Sequence, residues 1–232
     1  MTRARGRVLL PALCLLGAGL FAALGIWQVE RRAWKLDLIA RVEARLAASP
    51  IDLPPTASWS ELRPRDIEYR RVRVRGRFLH DRATLVDALT ERGAGFWVMT
   101  PLAAGDVVVM INRGFVPRAL RRSVARPAGH VTITGLLRAS EPHGRILRPN
   151  RPREGLWYSR DVEAIAAARG IANPAPFFVD ADATSNPNGY PIGGLTVIRF
   201  RNAHFAYALT WFALAGLCVA GLVIVKRNEA DR

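Results

Sequence analysis

Residues Phe205–Val225 read FAYALTWFALAGLCVAGLVIV, 21 residues without a charge, and Val8–Trp27, VLLPALCLLGAGLFAALGIW, form a second such run of 20. At about 1.5 Å of rise per residue, each run crosses a hydrocarbon core of about 30 Å. A soluble helix of that length must turn a polar stripe to water, and neither run has one. The reading is a membrane protein with two transmembrane α-helices, one near each terminus, flanking a single β-rich α+β extracytoplasmic domain. Its expected divisions are a cytoplasmic start over 1–7, a first span over 8–28, the outer domain over 29–203, a second span over 204–225 and a cytoplasmic end over 226–232.

Orientation follows from the short flanks. Arg3, Arg5 and Arg7 precede the first run, and Lys226 and Arg227 follow the second, so the positive-inside rule keeps both ends cytoplasmic. A basic start followed by the small Ala22, Ala23 and Gly25 also fits a cleaved signal peptide, but 20 apolar residues exceed the roughly 7–15 of a signal core, which favours an uncleaved anchor. Of the 34 basic and 19 acidic residues, six and two lie in the terminal flanks, leaving the middle at +11. Long loops translocate largely regardless of such charge. The charge instead favours anionic partners such as membrane lipid headgroups or acidic protein faces. Nucleic acid is not expected, because no recognition module is present. Cys14 and Cys218 lie inside the apolar runs and read as small packing residues, leaving no disulfide for the outer domain.

Between the runs the period of the sequence changes. Trp34, Leu38, Val42 and Leu46 recur every four residues within Glu30–Ala48, an amphipathic helix that continues the first span and ends at Pro50, Pro54 and Pro55. Trp27 and Trp34 bracket its exit point as belt aromatics do. From Tyr69 the period becomes two: Arg71, Arg73, Arg75 and Arg77 alternate with Val72, Val74, Gly76 and Phe78, a strand with one solvated face. That face is either ordinary solvated surface or an anion or partner site. Further strands are expected at Ala83–Ala88, Phe96–Leu102, Val107–Ile111, Val131–Leu137, Pro176–Val179 and Thr196–Phe200, with mostly antiparallel pairing and a short helix at Asp161–Ala168 ending at Gly170.

Catalytic signatures are absent: there is no P-loop, H-E-x-x-H, G-x-S-x-G or paired C-x-x-C, and the chain is expected not to be an enzyme. A loose dinucleotide fingerprint at Gly17–Ala22 falls inside a span, where small residues serve helix packing, as do the pairs Ala18/Ala22 and Gly216/Ala220. His80, His130 and His143 lack metal-ligand spacing and read as surface residues. His204 differs, since it stands at the outer mouth of the second span. An imidazole there can ligate iron while an apolar macrocycle lies in lipid or between helices. Tyr207 and Trp211 share its helical face and offer an aromatic wall, and Arg199 and Arg201 could pair with carboxylates. The alternative is an interfacial histidine with belt aromatics that set helix depth.

Four segments stand out in order along the chain: Leu24-Gly25-Ile26-Trp27-Gln28 with Arg31, Trp34 and Lys35; Gly95–Leu102 followed by Val109–Pro117 (VMINRGFVP); Arg148-Pro149-Asn150 with Trp157 and Arg160-Asp161; and Asn202, His204 and Tyr207–Phe212 (YALTWF). Together they resemble the surfeit locus protein 1 family of cytochrome c oxidase assembly factors. The resemblance implies a chaperone that binds haem a and supports its insertion into oxidase subunit I, with His204 as an axial ligand and Trp211 seating the ring. Implied partners are subunit I, other oxidase assembly factors, haem a synthase and membrane lipids. A scaffold for oxidase assembly that does not itself bind haem is the alternative. Two departures stand out: the first span has no histidine to supply a second ligand, and Phe115 stands where the family often has Trp. Iron could then be five-coordinate, take a ligand from a neighbouring chain, or bind only in transit. Arginine outnumbers lysine 32 to 2, and with no Arg-rich, Ser-rich transit segment before the first span the expected location is a bacterial inner membrane.

Overall fold

In a computed structural model of the chain, residues 2–145, 147–183, 186, 189–196 and 202–230 are described, the side chains of 2–8 and 229–230 excepted. The chain forms two compact units, Glu43–Val197 and the pair of segments Met1–Val42 with Ile198–Arg232.

The larger unit is a barrel. Its strands are β1 (Arg71–Phe78), β2 (Thr84–Thr90), β3 (Gly93–Ala104), β4 (Val107–Pro117), β5 (His130–Ala139) and β6 (Pro174–Ala181). Hydrogen bonding runs β1-β5-β6-β4-β3-β2, and a further β1–β3 pairing closes the first five strands into a ring. All neighbours are antiparallel except β4 and β6, which are parallel. β3 makes closure possible by changing partners along its length. Gly93–Met99 pair with β2, whereas Leu102 and Ala103 pair with Phe78 and Arg77 of β1. Gly76 permits the approach, since a Cβ there would lie 2.2 Å from the Ala103 carbonyl oxygen.

The alternation of β1 survives as expected: Val72, Val74, Gly76 and Phe78 are buried while Arg73, Arg75 and Arg77 are exposed. Val72, Val74, Phe78, Leu102, Val109, Ile111, Leu137, Phe177 and Val179 fill the ring. The single-turn helix α2 (Pro64–Ile67) adds Ile67 to this core. Outside the ring, Val86, Met99, Met110 and Phe178 form a second core with Trp157 and with Val162, Ile165 and Ala166 of α3 (Val162–Ala168). Asp161 caps α3 by accepting from Ala164 N at 3.1 Å, which satisfies one orphan N–H of the first turn.

The sequence places six strands and a helix correctly but shortens β4, which runs six residues past Ile111 to Pro117. Asn112, Arg113 and Gly114, beyond the expected end of the strand, are all buried in it. The expected strand at Thr196–Phe200 falls largely outside the described residues, and Thr196 itself is not in a strand.

The smaller unit contains most of α1 (Thr2–Ala47), a single helix of 46 residues with no break at the end of the apolar run, and α4 (His204–Ala230). The two pack antiparallel: Phe21 stacks on Trp211 at 5.7 Å between ring centroids, and Gly25 lies under the Phe212 ring. Gly17 faces Cys218 Sγ and Gly221 faces Cys14 Sγ, so both free cysteines are packing residues. The small-residue contacts thus fall on Gly17, Gly25 and Gly221. At Gly216, expected to serve packing, an added Cβ would meet nothing within 4 Å.

Candidate functional site

At the start of α4, His204 Nδ1 lies 2.8 Å from Gln28 Oε1 of α1. The amide oxygen can only accept, so the contact matches the Nδ1–H tautomer, in which a neutral ring keeps its lone pair on Nε2. This is the arrangement by which a hydrogen bond to one ring nitrogen fixes the other as a ligand. Gln28 is buried at 9 % exposure, and the contact joins residues 176 positions apart. One helical turn along α1 from Gln28, Arg32 holds its guanidinium 5.2 Å from the Phe205 ring centroid, which sets a cation beside the histidine. Tyr207 and Phe205 project outward, 57 % and 56 % exposed, while Trp211 is engaged with Phe21. The structure therefore brings His204 together with Gln28, which sequence reasoning had treated only as part of a motif. The first helix, expected to be a packing partner, supplies the histidine's hydrogen-bond acceptor. Arg199 and Arg201 lie outside the described residues.

The barrel carries a second polar site that sequence reasoning missed. Asp180, at the end of β6 and 4 % exposed, accepts from Asn112 Nδ2 at 2.7 Å, Arg138 Nη1 at 2.9 Å, Arg160 Nη1 at 3.1 Å and Thr196 Oγ1 at 3.0 Å. Arg138 also donates to Glu68 at 2.9 Å, and Arg160 binds Glu141 through both Nη2 and Nε. Three carboxylates thus meet two guanidinium groups around a cavity of about 250 Å³ that Tyr69 and Trp97 also line. Burial alone raises the Glu141 carboxyl, but hydrogen bonds and charge from Arg160, with Arg138 adding, hold it below the ordinary glutamate value. Burial disfavours the charge of Arg138, yet Asp180 and Glu68 outweigh it and raise its pKa.

The two middle motifs converge here. Asn112 of VMINRGFVP binds Asp180 through Nδ2 and Gly114 N through its carbonyl oxygen. Asn150 accepts from Tyr158 N and Ser159 N at 2.8 and 3.1 Å, which fixes the loop that delivers Arg160. Among the described residues no group of three His, Cys, Asp or Glu side chains could hold a metal ion. Of the outer histidines, His80 departs from the surface reading: it is half-buried, with Nε2 2.9 Å from the Pro127 carbonyl oxygen.

Comparison with known proteins follows the same segments. The SURF1 family model matches residues 15–216. The chain is 40 % identical over 218 residues to Surfeit locus protein 1 of Rattus norvegicus, covering 85 % of this chain and 68 % of that protein. Against Surfeit locus protein 1 of Homo sapiens the identity is 38 % over 214 residues, covering 83 % and 69 %. A SURF1-like protein of Monosiga brevicollis is 34 % identical over 230 residues, covering 90 % and 84 %. The matched span opens within α1, takes in every strand of the barrel and closes within α4, so it is the chain with both helices and barrel that belongs to the SURF1 family.

Proposed function

We propose that the protein is a non-enzymatic membrane chaperone of cytochrome c oxidase assembly that binds haem a and supports its insertion into subunit I. The observation that carries this reading is the His204–Gln28 contact. In the Nδ1–H tautomer the Nε2 lone pair would be free at the end of an apolar helix to hold iron. Bound haem would supply an electrophilic iron to be ligated and a redox-active macrocycle to be protected. The protein's own residues orient and shield: Gln28 fixes the imidazole tautomer, Tyr207 offers an exposed ring and Trp211 a stacked one, and Arg32 together with Arg199 and Arg201 would meet carboxylates. One imidazole without a covalent bond suits release to a recipient, since tight binding in both states would shift no population.

Membrane insertion belongs to the same proposal. Leu16, Leu20, Phe205 and Leu217 are 71 %, 58 %, 56 % and 68 % exposed, and an apolar surface of that extent needs an apolar surrounding. With both basic flanks cytoplasmic, the barrel lies on the periplasmic side of a bacterial inner membrane. Resistance to alkaline carbonate extraction, together with protease access to the barrel only from the periplasmic side, is expected.

The test of haem binding is an absorption spectrum of protein purified after co-expression with haem a synthesis. His204→Ala should lose most of the bound haem, and Gln28→Leu should retain it with a shifted spectrum. Undiminished haem in His204→Ala would remove the ligand assignment. The second reading, a tether that docks assembling oxidase without holding haem, draws on the exposed Arg73, Arg75 and Arg77 face of β1. It predicts copurification with subunit I and no haem spectrum.

A further inference from the structure

The barrel interior ends in a buried cation that no carboxylate meets among the described residues. Arg113 shares the inward face of β4 with Val109 and Ile111 and is 6 % exposed. Its guanidinium lies 4.9 Å from the Phe78 ring centroid. One N–H, on Nη2, donates to the Ala125 carbonyl oxygen at 2.7 Å. A guanidinium has five N–H donors, so four remain beside the cavity that Arg113 lines. That cavity measures about 300 Å³ and is walled by Ala83, Leu85, Val98 and Val124, with Arg121, Arg126, His80 and Asp81 at its mouth. The one acid, Asp81, stands 97 % exposed and 3.5 Å from Arg126, and the His80 ring is held by the Pro127 carbonyl oxygen. Three arginines against one carboxylate leave a cationic mouth over an apolar wall.

The contrast within the same barrel is informative. Arg138 and Arg160 are half-buried, and each is matched by two carboxylates. A buried charge is ordinarily paired, because desolvation without a counter-charge is costly. Burial pushes Arg113 down to about 10, so it remains a cation at neutral pH, and no carboxylate among the described residues pairs with it.

We propose that this cavity at the barrel mouth binds a small oxyanion, a phosphate or a carboxylate group, which the Arg113 fork receives from within and Arg121 and Arg126 close over from the rim. A guanidinium suits both anions through paired N–H donors. The volume lies at the small end of ligand pockets, so the ligand is a compact molecule or a single anionic group of a larger one. The site is independent of the haem reading, since it rests on residues of the barrel alone.

The test uses the full chain in detergent micelles, with thermal unfolding followed during separate titrations of sodium phosphate and sodium succinate against sodium chloride at matched ionic strength. At ten times its Kd the preferred anion should raise Tm by about 3–6 °C, and the two titrations separate phosphate from carboxylate chemistry. The double variant Arg121→Ala/Arg126→Ala removes only exposed side chains and should need at least tenfold more anion for the same rise. Arg113→Met should abolish the response and be no less stable than wild type in anion-free buffer, whereas an Arg113 that merely ties down Ala125 would lose stability with or without anion. No rise beyond chloride for either anion, or an equal response in the rim double variant, overturns the proposal. Should Arg113→Met fail to fold, the rim variant still decides.

Discussion

Asp180 concentrates the energetics of the barrel in one side chain. It satisfies Arg138 and Arg160 at once, along with Asn112 and Thr196, and removing it leaves two half-buried guanidinium groups with one carboxylate each. Breaking a buried ion pair from one side costs about 3–5 kcal/mol. Asp180→Ala should accordingly lower the urea midpoint of the barrel by a large fraction of its value. Asp180→Asn, which keeps shape and some hydrogen bonds, should fall between it and wild type. Measurement of both midpoints checks the order, and an Asp180→Ala variant as stable as wild type would remove Asp180 from this role. None of this was legible from spacing. Asp180 lies 68 residues from Asn112, 42 from Arg138 and 20 from Arg160, and only strand topology brings them together. His204 stood out because a lone ionisable group at the mouth of an apolar helix is visible locally, whereas Gln28, 176 residues away, could be reached only through helix pairing.

At the level of elements, what could be read depended on whether the deciding forces were local. The RVRVRGRF alternation of β1 became a half-buried strand, and Asp161 with Gly170 framed α3, because period and capping act within a few residues. The far half of β4 was missed because buried Asn112 and Arg113 find their partners on β6 and in the loop before β5. Ring closure was missed for a related reason: it rests on two residue pairs between β1 and β3 that exist only if β3 leaves β2. Gly76 is the point at which that closure is most exposed to substitution. In Gly76→Ala the new methyl would fall 2.2 Å from the Ala103 carbonyl oxygen, so the strands must separate, at the roughly 1–3 kcal/mol typical of overpacking. Asp161→Ala removes the cap of α3, at about 0.5–2 kcal/mol, and with it the acceptor of the His143 N–H at 3.1 Å. Thermal unfolding of the two variants tests the ranking. A Gly76→Ala protein with wild-type Tm would show that the β1–β3 junction yields freely.

The molecule as a whole divides its chemistry between two kinds of surface. The helix pair turns its apolar side chains outward, while the barrel buries its own in two cores and, Arg113 apart, gathers its paired inward charges around Asp180. Loss of stability in acid should therefore be a property of the barrel. Glu141 is held below the ordinary glutamate value by Arg160 and Arg138 against the opposing effect of burial. The unfolded chain consequently takes up a proton at this site before the folded one does. The stabilisation is full above the unfolded value, declines as pH drops below it, and is gone once pH has passed the folded value. Arg138, raised by its carboxylates, stays charged throughout that window and contributes no slope of its own. The Glu141 side chain is still 38 % exposed, so solvent screening reduces the effect. Its signature is the difference between proteins: on acidification from neutral pH to below the glutamate range, the urea midpoint should fall less steeply in Glu141→Gln than in wild type. The variant should already be the weaker of the two at neutral pH, because the amide gives up the charge while Arg160 stays half-buried. Parallel pH profiles for the two proteins would mean that the Arg160–Glu141 pair contributes nothing to acid sensitivity and that other carboxylates carry it.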